Sequence, residues 1–511
     1  MKRIPVFILG IVIALSGCTM APKYNRPVAP IPGNWPSGDA YLKPQPAESV
    51  PDVTQLRWRE FFTDPKLRRI IETALQNNRN LRLAALNVEE ARALYGVQRA
   101  NLFPVVDAEG VYTKQRTSSD FLIAGASNIT EQYSVDLGIT AWEIDFFGRI
   151  RSLTKQALEE YLGTQEARRS TQIALVSEVA RVYLTIAADR ENVTLAQSTL
   201  KAQEGVYNLI LRKHKLKLVS DIDLYRAQTQ VDTARRNVAL YTQQVAQDQN
   251  ALNLLAGSAV PEDLLPLDLT GVGPLKDIFP GLSSEVLLRR PDIIDAEHRL
   301  KGAYANIGAA RAAFFPSISL TTAIGSASSA LSGLFSSGKG TWIYSPQVVM
   351  PIFDMQTWAA YRVSEADRKI ALTKYEKTIQ TAFREVADVL AVQGTVDQQI
   401  AAQQSLVDSE QKVYHLSSKR YSNGIDSYLS VLDAQRSLYR AQQELIYLQL
   451  SKLVNEVKAY AALGGGGLDE ADGRRQFSRD FFEENILSVL NSAVGKKPLA
   501  ALDIPPPVKG D

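Results

Sequence analysis

The sequence is poor in the residues on which most protein chemistry depends. Its 511 residues include one cysteine, Cys18, and three histidines, His214, His298 and His415. A single thiol excludes an internal disulfide. Each histidine is isolated in a helical pattern, with no histidine or cysteine at metal-ligand spacing. No glycine-rich phosphate loop follows a strand pattern, and no GxSxG elbow occurs. The run Gly464–Gly467 directly follows a helix end, where glycine caps and releases the chain. Four methionines are too few to argue for a soft-metal path. A strong net charge is also missing. Lys and Arg number 57 against 55 Asp and Glu, so nothing in the balance points to nucleic acid. These absences predict a protein that is not an enzyme and carries no cofactor or metal.

Long apolar runs are scarce too. One of them, Ile4–Leu15, follows Lys2 and Arg3; it is too short to span a bilayer and suits the h-region of a secretory signal, giving a predicted signal peptide over residues 1–17. It ends in Leu15-Ser16-Gly17-Cys18, which resembles the lipobox of bacterial lipoproteins. That resemblance implies acylation of Cys18, and Thr19 in place of Asp favours sorting to the outer membrane. The prolines from Pro22 to Pro51 predict an extended, lipidated tether over residues 18–57.

What the chain does have is periodicity. A helical pattern runs from Asp64 to about Arg99 and breaks at Pro104. Over Gln132–Ala141, Tyr133, Val135, Leu137, Ile139 and Ala141 alternate with polar residues, which predicts a strand wet on one side only. A polar helical pattern then extends from Arg149 to about Val206, far too long for a compact globular domain, and another runs from Ser220 to Leu255. After a proline-punctuated linker the order begins again. "RAAFFPSISLTT" echoes "RANLFPVVDAEG", and "DAQRSLYRAQ" echoes "RAQTQVDTAR", roughly 210 residues apart. The chain therefore reads as a tandem repeat of helix, strand pair and two long helices, at 58–260 and 283–467, joined by a linker at 261–282. Residues 468–511 form a tail to which no role is assigned.

Each half supplies two strands, near Val105–Lys114 and Glu131–Trp142, then near Ser317–Gly325 and Thr341–Phe353. Four strands leave edges that lipid cannot tolerate, so partner chains are required. The stripe Val431, Ala434, Leu438, Ala441, Leu445 and Leu448, with a second at Leu432, Tyr439 and Ile446, predicts neighbours on both sides of the last helix. A helix wall flanked on both sides closes by symmetry into a ring of identical protomers.

The lipobox, the "LFP" and "FFP" strand entries, "WEIDFFGRIR", "LLRRPDIIDAEHRL", "MPIFD" and "NGIDSYLSVLDAQRSLYRAQQ" together resemble the TolC family of outer-membrane factors, in its lipoprotein (NodT-like) branch. The resemblance covers about Trp58 to Gly467. It implies a mixed fold of α-helices and membrane β-strands: a homotrimeric, twelve-stranded outer-membrane barrel, four strands per protomer, continuous with a long helical periplasmic barrel. The implied function is passive efflux of drugs or toxic compounds, with metal-ion export or type I protein secretion as alternatives. The implied partners are a periplasmic adaptor, an inner-membrane pump and outer-membrane lipid. A periplasmic adaptor or a coiled-coil scaffold is the rival reading, but neither uses a duplicated helix–strand unit. Trp142 and Trp342 are candidates for an interfacial aromatic belt.

At 100° per residue, Leu429, Asp433 and Arg440 lie nearly opposite the stripe through Val431. By geometry alone this is a solvated aspartate. The resemblance implies more: Leu429 and Asp433 match positions that form the narrowest rings of the pore. Three such carboxylates about 6 Å apart repel by about 3 kcal/mol per pair at an effective dielectric of ~20, so closure must come from other bonds. Arg420 and Tyr421 match the family's gate-holding pair and are expected to reach acids or carbonyls on neighbouring helices, Asp426 or Asp221 among them.

Overall fold

A computed structural model describes residues 19–41, 57–122, 127–272 and 283–465. The signal sequence, Cys18 and the 468–511 tail lie outside the described residues.

Each half of the repeat opens with helices that enter a strand pair. The Asp64–Arg99 pattern is two helices, α1 (Pro65–Asn77) and α2 (Arg79–Ala100), rather than one. Asp64 caps α1 by accepting from the amides of Lys66 and Leu67. Asn78 breaks the pattern because its side chain accepts from the amide of Leu81 at 2.9 Å and donates to Leu255 O at 2.9 Å, which competes with a continuous helix.

Strands β1 (Val106–Arg116), β2 (Ile129–Glu143), β3 (Ser317–Ser328) and β4 (Gly340–Val349) form one antiparallel sheet in that order. Its register separates two faces. Tyr112, Tyr133, Val135, Leu137, Ile324, Trp342 and Tyr344 share one face, through pairs such as Tyr112–Tyr133, Leu137–Ile324 and Ile324–Trp342. Glu109, Asp136, Thr113, Gln132, Gly325 and Thr341 share the other. Trp342 is 80% exposed on the apolar face. The strict alternation of β2 fails at one place. A bulge between Ile139 and Trp142 puts Ala141 at φ 51° and pairs Trp142 with Leu320, so Trp142 rather than Ala141 continues the apolar face. Strands β1 and β4 are the edges, each paired on one side only.

The sheet leads into long helices. α3 (Arg149–Lys215) and α4 (Asp221–Ala256) form the first hairpin; α6 (Met355–Ser422) and α7 (Tyr428–Ala462) form the second; α5 (Pro291–Ala312) enters the second strand pair. At 1.5 Å per residue, α3 and α6 are each about 100 Å long. No helix among the described residues is long and apolar enough to cross a membrane. Aspartates start both long helices at equivalent places. Asp145 accepts from the amides of Ile150 and Arg151, and Asp354 from the amide of Gln356 and the hydroxyl of Thr357. α3 runs past the sequence boundary at Val206 because Val206, Tyr207 and Ile210 pack against Tyr428, Val431 and Leu432, which outweighs the roughly 1 kcal/mol that Gly205 costs a helix.

Two cores lie where the hairpins meet α1 and α5. The first joins Phe61, Phe62, Ile70, Tyr183 and Tyr460, with Phe61 stacked on Tyr460 at 4.7 Å. The second joins Leu287, Leu300, Tyr375 and Ile379, and it is covered by residues 19–41, which run extended along α5 and α6. Trp35 stacks on Phe383 at 5.1 Å, and Ser284 Oγ donates to Pro32 O at 2.7 Å. Glu297, buried, accepts from Tyr24 and Arg26 and pairs with Lys301. Gly308 and Gly394 face Ala21 and Ala40, where an added Cβ would collide with backbone. Arg290 of the "LLRRPD" motif is buried and joins three helices. It donates to Ala462 O at 2.7 Å, to both oxygens of Asp292 and to Glu385 at 3.0 Å.

Candidate gate at the helix tips

The ends of α3, α4, α6 and α7 farthest in sequence from the strands meet in a small apolar cluster of Ile210, Ala227, Tyr428, Val431 and Leu432. The predicted stripe on α7 is inward: Val431, Ala434, Leu438, Ala441 and Leu448 are buried. Leu429 is 44% exposed, and Asp433, Arg436 and Arg440 are exposed on the same side, as the helical phase predicts. α4 and α7 run side by side. Arg436 donates to Gln230, Asn237 to Tyr439, and Gln443 to Tyr241.

The four predicted latch residues fall into three separate contacts. Arg420 grips Asp426 with Nε at 2.6 Å and Nη2 at 3.0 Å, within its own hairpin. The hydrogen bond from Arg420 holds the Asp426 carboxyl below the usual carboxylate range. Asp221 is not brought to Arg420 or Tyr421; it pairs with His214 Nε2 at 2.6 Å across the turn of the first hairpin. Sequence reasoning set His214 aside as isolated. The signal was its place in the last turn of α3, one short turn before the first acid of α4.

Tyr421 is the link between hairpins. Its ring lies under Lys213 Nζ at 4.7 Å and against Tyr428 at 5.4 Å, while its buried hydroxyl has no partner among the described residues. Burial, then the charge of Asp223, raises the Tyr421 phenol. Asp223, which sequence reasoning missed, is held by Ser220, whose Oγ accepts from the Asp223 amide and donates to its carboxylate at 2.8 Å. The Ser-x-x-Asp spacing of a helix start was its sequence signal. Among the described residues no group of three or more metal-ligating side chains occurs.

A chain with a sheet of two unlike faces and two pairs of long helices is matched closely by known proteins. The family described as outer membrane efflux protein matches residues 70–258 and 282–465. The antibiotic efflux pump outer membrane protein ArpC of Pseudomonas putida is 48% identical over 475 residues, covering 93% of this chain and 96% of its own. The toluene efflux pump outer membrane protein TtgC, also of Pseudomonas putida, shows the same identity and coverage. The structure of the open state of the Neisseria gonorrhoeae MtrE outer membrane channel superposes with a TM-score of 0.77 at 34% identity, covering 88% of this chain and 98% of that one. The chain belongs to the outer membrane efflux protein family and is an outer-membrane efflux channel.

Proposed function

We propose that three copies of this chain form the exit duct of a tripartite pump that expels antibiotics and organic solvents, the cargoes named for its relatives. The observation that carries the reading is the sheet: apolar on one face except where Lys114 pairs with Glu131 near the β1–β2 turn, polar on the other, with both edge strands open and with β2 and β4 leading into the long helices. Three sheets joined edge to edge make a barrel of twelve strands with no free edge, apolar outside and polar within. Acylation of Cys18 adds a lipid anchor, weak by itself beside a spanning barrel. An inner-membrane pump, joined to the duct through a periplasmic adaptor, supplies the energy.

The exposed Leu429 and Asp433 on α7 form the constriction, apolar then acidic, and the duct opens when the adaptor engages the hairpin tips. Native mass spectrometry in mild detergent tests the assembly, and tolerance to toluene and antibiotics in cells lacking their own exit duct tests the transport. A stable monomer, or a trimer that restores no tolerance beside a working adaptor and pump, refutes the reading.

A further inference from the structure

The apolar face of the sheet changes character toward the strand turns. Beyond Trp342 it carries Ser326, then Ser328 in one row with Tyr133 and Tyr112, then Lys114 and last Arg116. Two hydroxyls on a face turned to lipid need partners, because hydrocarbon offers none. The β3–β4 connection supplies them. Instead of projecting from the sheet it folds back over β3: Ser326 Oγ donates to Leu334 O and lies 3.1 Å from Lys339 O, and Ser328 Oγ accepts from the Ala330 amide at 3.3 Å. Gly333 passes so near that an added Cβ would sit 3.0 Å from Ser328 Oγ. Ser328 and Leu334 are thereby buried, and Leu331 and Phe335 are left 65% and 82% exposed. Water penalises such baring of a leucine and a phenylalanine on one short loop; lipid does not.

Past the loop the same face turns basic. Lys114 is neutralised by Glu131 at 2.5 Å, but Arg116 is exposed and pairs with no acid among the described residues. Arg116 stands four residues beyond Tyr112, about 13 Å further along the strand. A guanidinium in that position matches the fork geometry of a phosphate. Apolar side chains below an unneutralised cation match a lipid standing with its phosphate toward the turns. The distance between them leaves room for a sugar ring between phosphate and acyl chain, which a glycerophospholipid lacks.

We propose that the turn end of this face binds a phosphorylated glycolipid of the outer leaflet, its phosphate on Arg116 and its acyl chains along the Tyr112–Tyr133 pair, Leu331 and Phe335. The β3–β4 loop is then part of the lipid-facing wall and not of the outer mouth. This rests on the exit-duct reading, which puts the turns outermost because the long helices leave from the other end of the sheet.

The test titrates the full channel in detergent with lipid A, a bisphosphorylated glucosamine disaccharide bearing acyl chains, and with the same lipid stripped of its phosphates, and counts bound lipid by native mass spectrometry. The phosphorylated form should bind roughly fivefold more tightly, the effect of one cation near an anionic headgroup. Arg116→Gln should erase that difference, whereas Gln115→Ala, on the opposite face of β1, should keep it. Leu331→Ser with Phe335→Ser should weaken both lipids alike and leave the preference for phosphate. Equal binding of the two lipids by the wild-type channel, a preference that survives Arg116→Gln, or a loop variant that binds as wild type overturns the proposal. So does phosphatidylglycerol binding as tight as that of lipid A, which would make Arg116 a contact for any anionic lipid. A stable monomer in the same spectra would instead refute the trimeric duct; Arg116 and the loop belong to one sheet, so the lipid comparison would still decide the proposal.

Discussion

Arg420 holds both carboxylate oxygens of Asp426 across the turn between α6 and α7, so the strongest polar contact of the second tip lies inside one hairpin. Its role is to fix the shape of the turn from which Leu429 and Asp433 are presented. Arg420→Ser and Asp426→Asn should each raise conductance in planar bilayers, and the double variant should do little more than either alone, since both remove one contact. Additive increases would place their partners elsewhere.

Asp433 should act through its charge alone. Asp433→Ala is expected to lower cation preference, read as a shift of reversal potential toward zero in a salt gradient, while leaving folding stability within about 0.5 kcal/mol, as for other exposed sites. An unchanged reversal potential would remove the carboxylate from the conducting path.

Arg290 should matter for stability rather than transport. Arg290→Met leaves Ala462 O, Asp292 and Glu385 without their shared donor, and the half-exposed state of the two acids moderates the loss to about 2–3 kcal/mol. Thermal loss of helicity, followed by circular dichroism, should begin at lower temperature. An unaltered melting profile would show that water replaces the guanidinium.

Glu297 predicts how residues 19–41 respond to acid. Burial would raise its carboxyl, but hydrogen bonds from Arg26, Lys301 and Tyr24 outweigh burial and hold it at about 2. A carboxyl depressed in the folded state stabilises fully above its unfolded value of about 4.3 and loses that contribution as pH falls toward 2. Protection factors at residues 19–41, corrected for the pH dependence of intrinsic exchange, should therefore stay high at pH 5 and fall between about pH 4 and 2, whereas Arg26→Ala should move the fall to higher pH. Fast exchange of wild type at pH 5 would contradict the clamp.

Asp189 predicts the opposite slope. Burial, and then the neighbouring Asp248, push its carboxyl up to about 6, and a buried Asp248 oxygen has no partner among the described residues. The folded state binds this proton more tightly than the unfolded chain, so stability should fall as pH rises from about 4 through 6. Asp189→Asn should flatten that part of the melting-temperature profile. A wild-type profile that rises there would refute the pairing.

Much of the architecture was legible because it is written in periodicity. The repeat, the strand pairs, the long helices and the inward stripe of α7 need only the spacing of apolar residues. The misses came where a single contact overrides spacing: Asn78 splitting α1 from α2, the bulge at Ala141, and Ile210 carrying α3 beyond Gly205. At the tips, Arg420 and Asp426 were named through the family resemblance, which expected the link to reach a neighbouring helix, whereas the contact closes within one hairpin. His214–Asp221 and Lys213–Tyr421 were not legible, because they depend on how α3 and α4 cross and on which hairpin tip leans on the other.

The docking of residues 19–41 imposes an order on folding. Tyr24 and Arg26 meet Glu297 across 273 and 271 residues of chain. This segment, made well before its partners, is thus among the last to find its seat, and such distant contacts form slowly. Until the α5–α6 half has emerged, residues 19–41 have no core to cover. Seating of this cover is therefore a late step of folding, set by the length of chain that separates it from its partners.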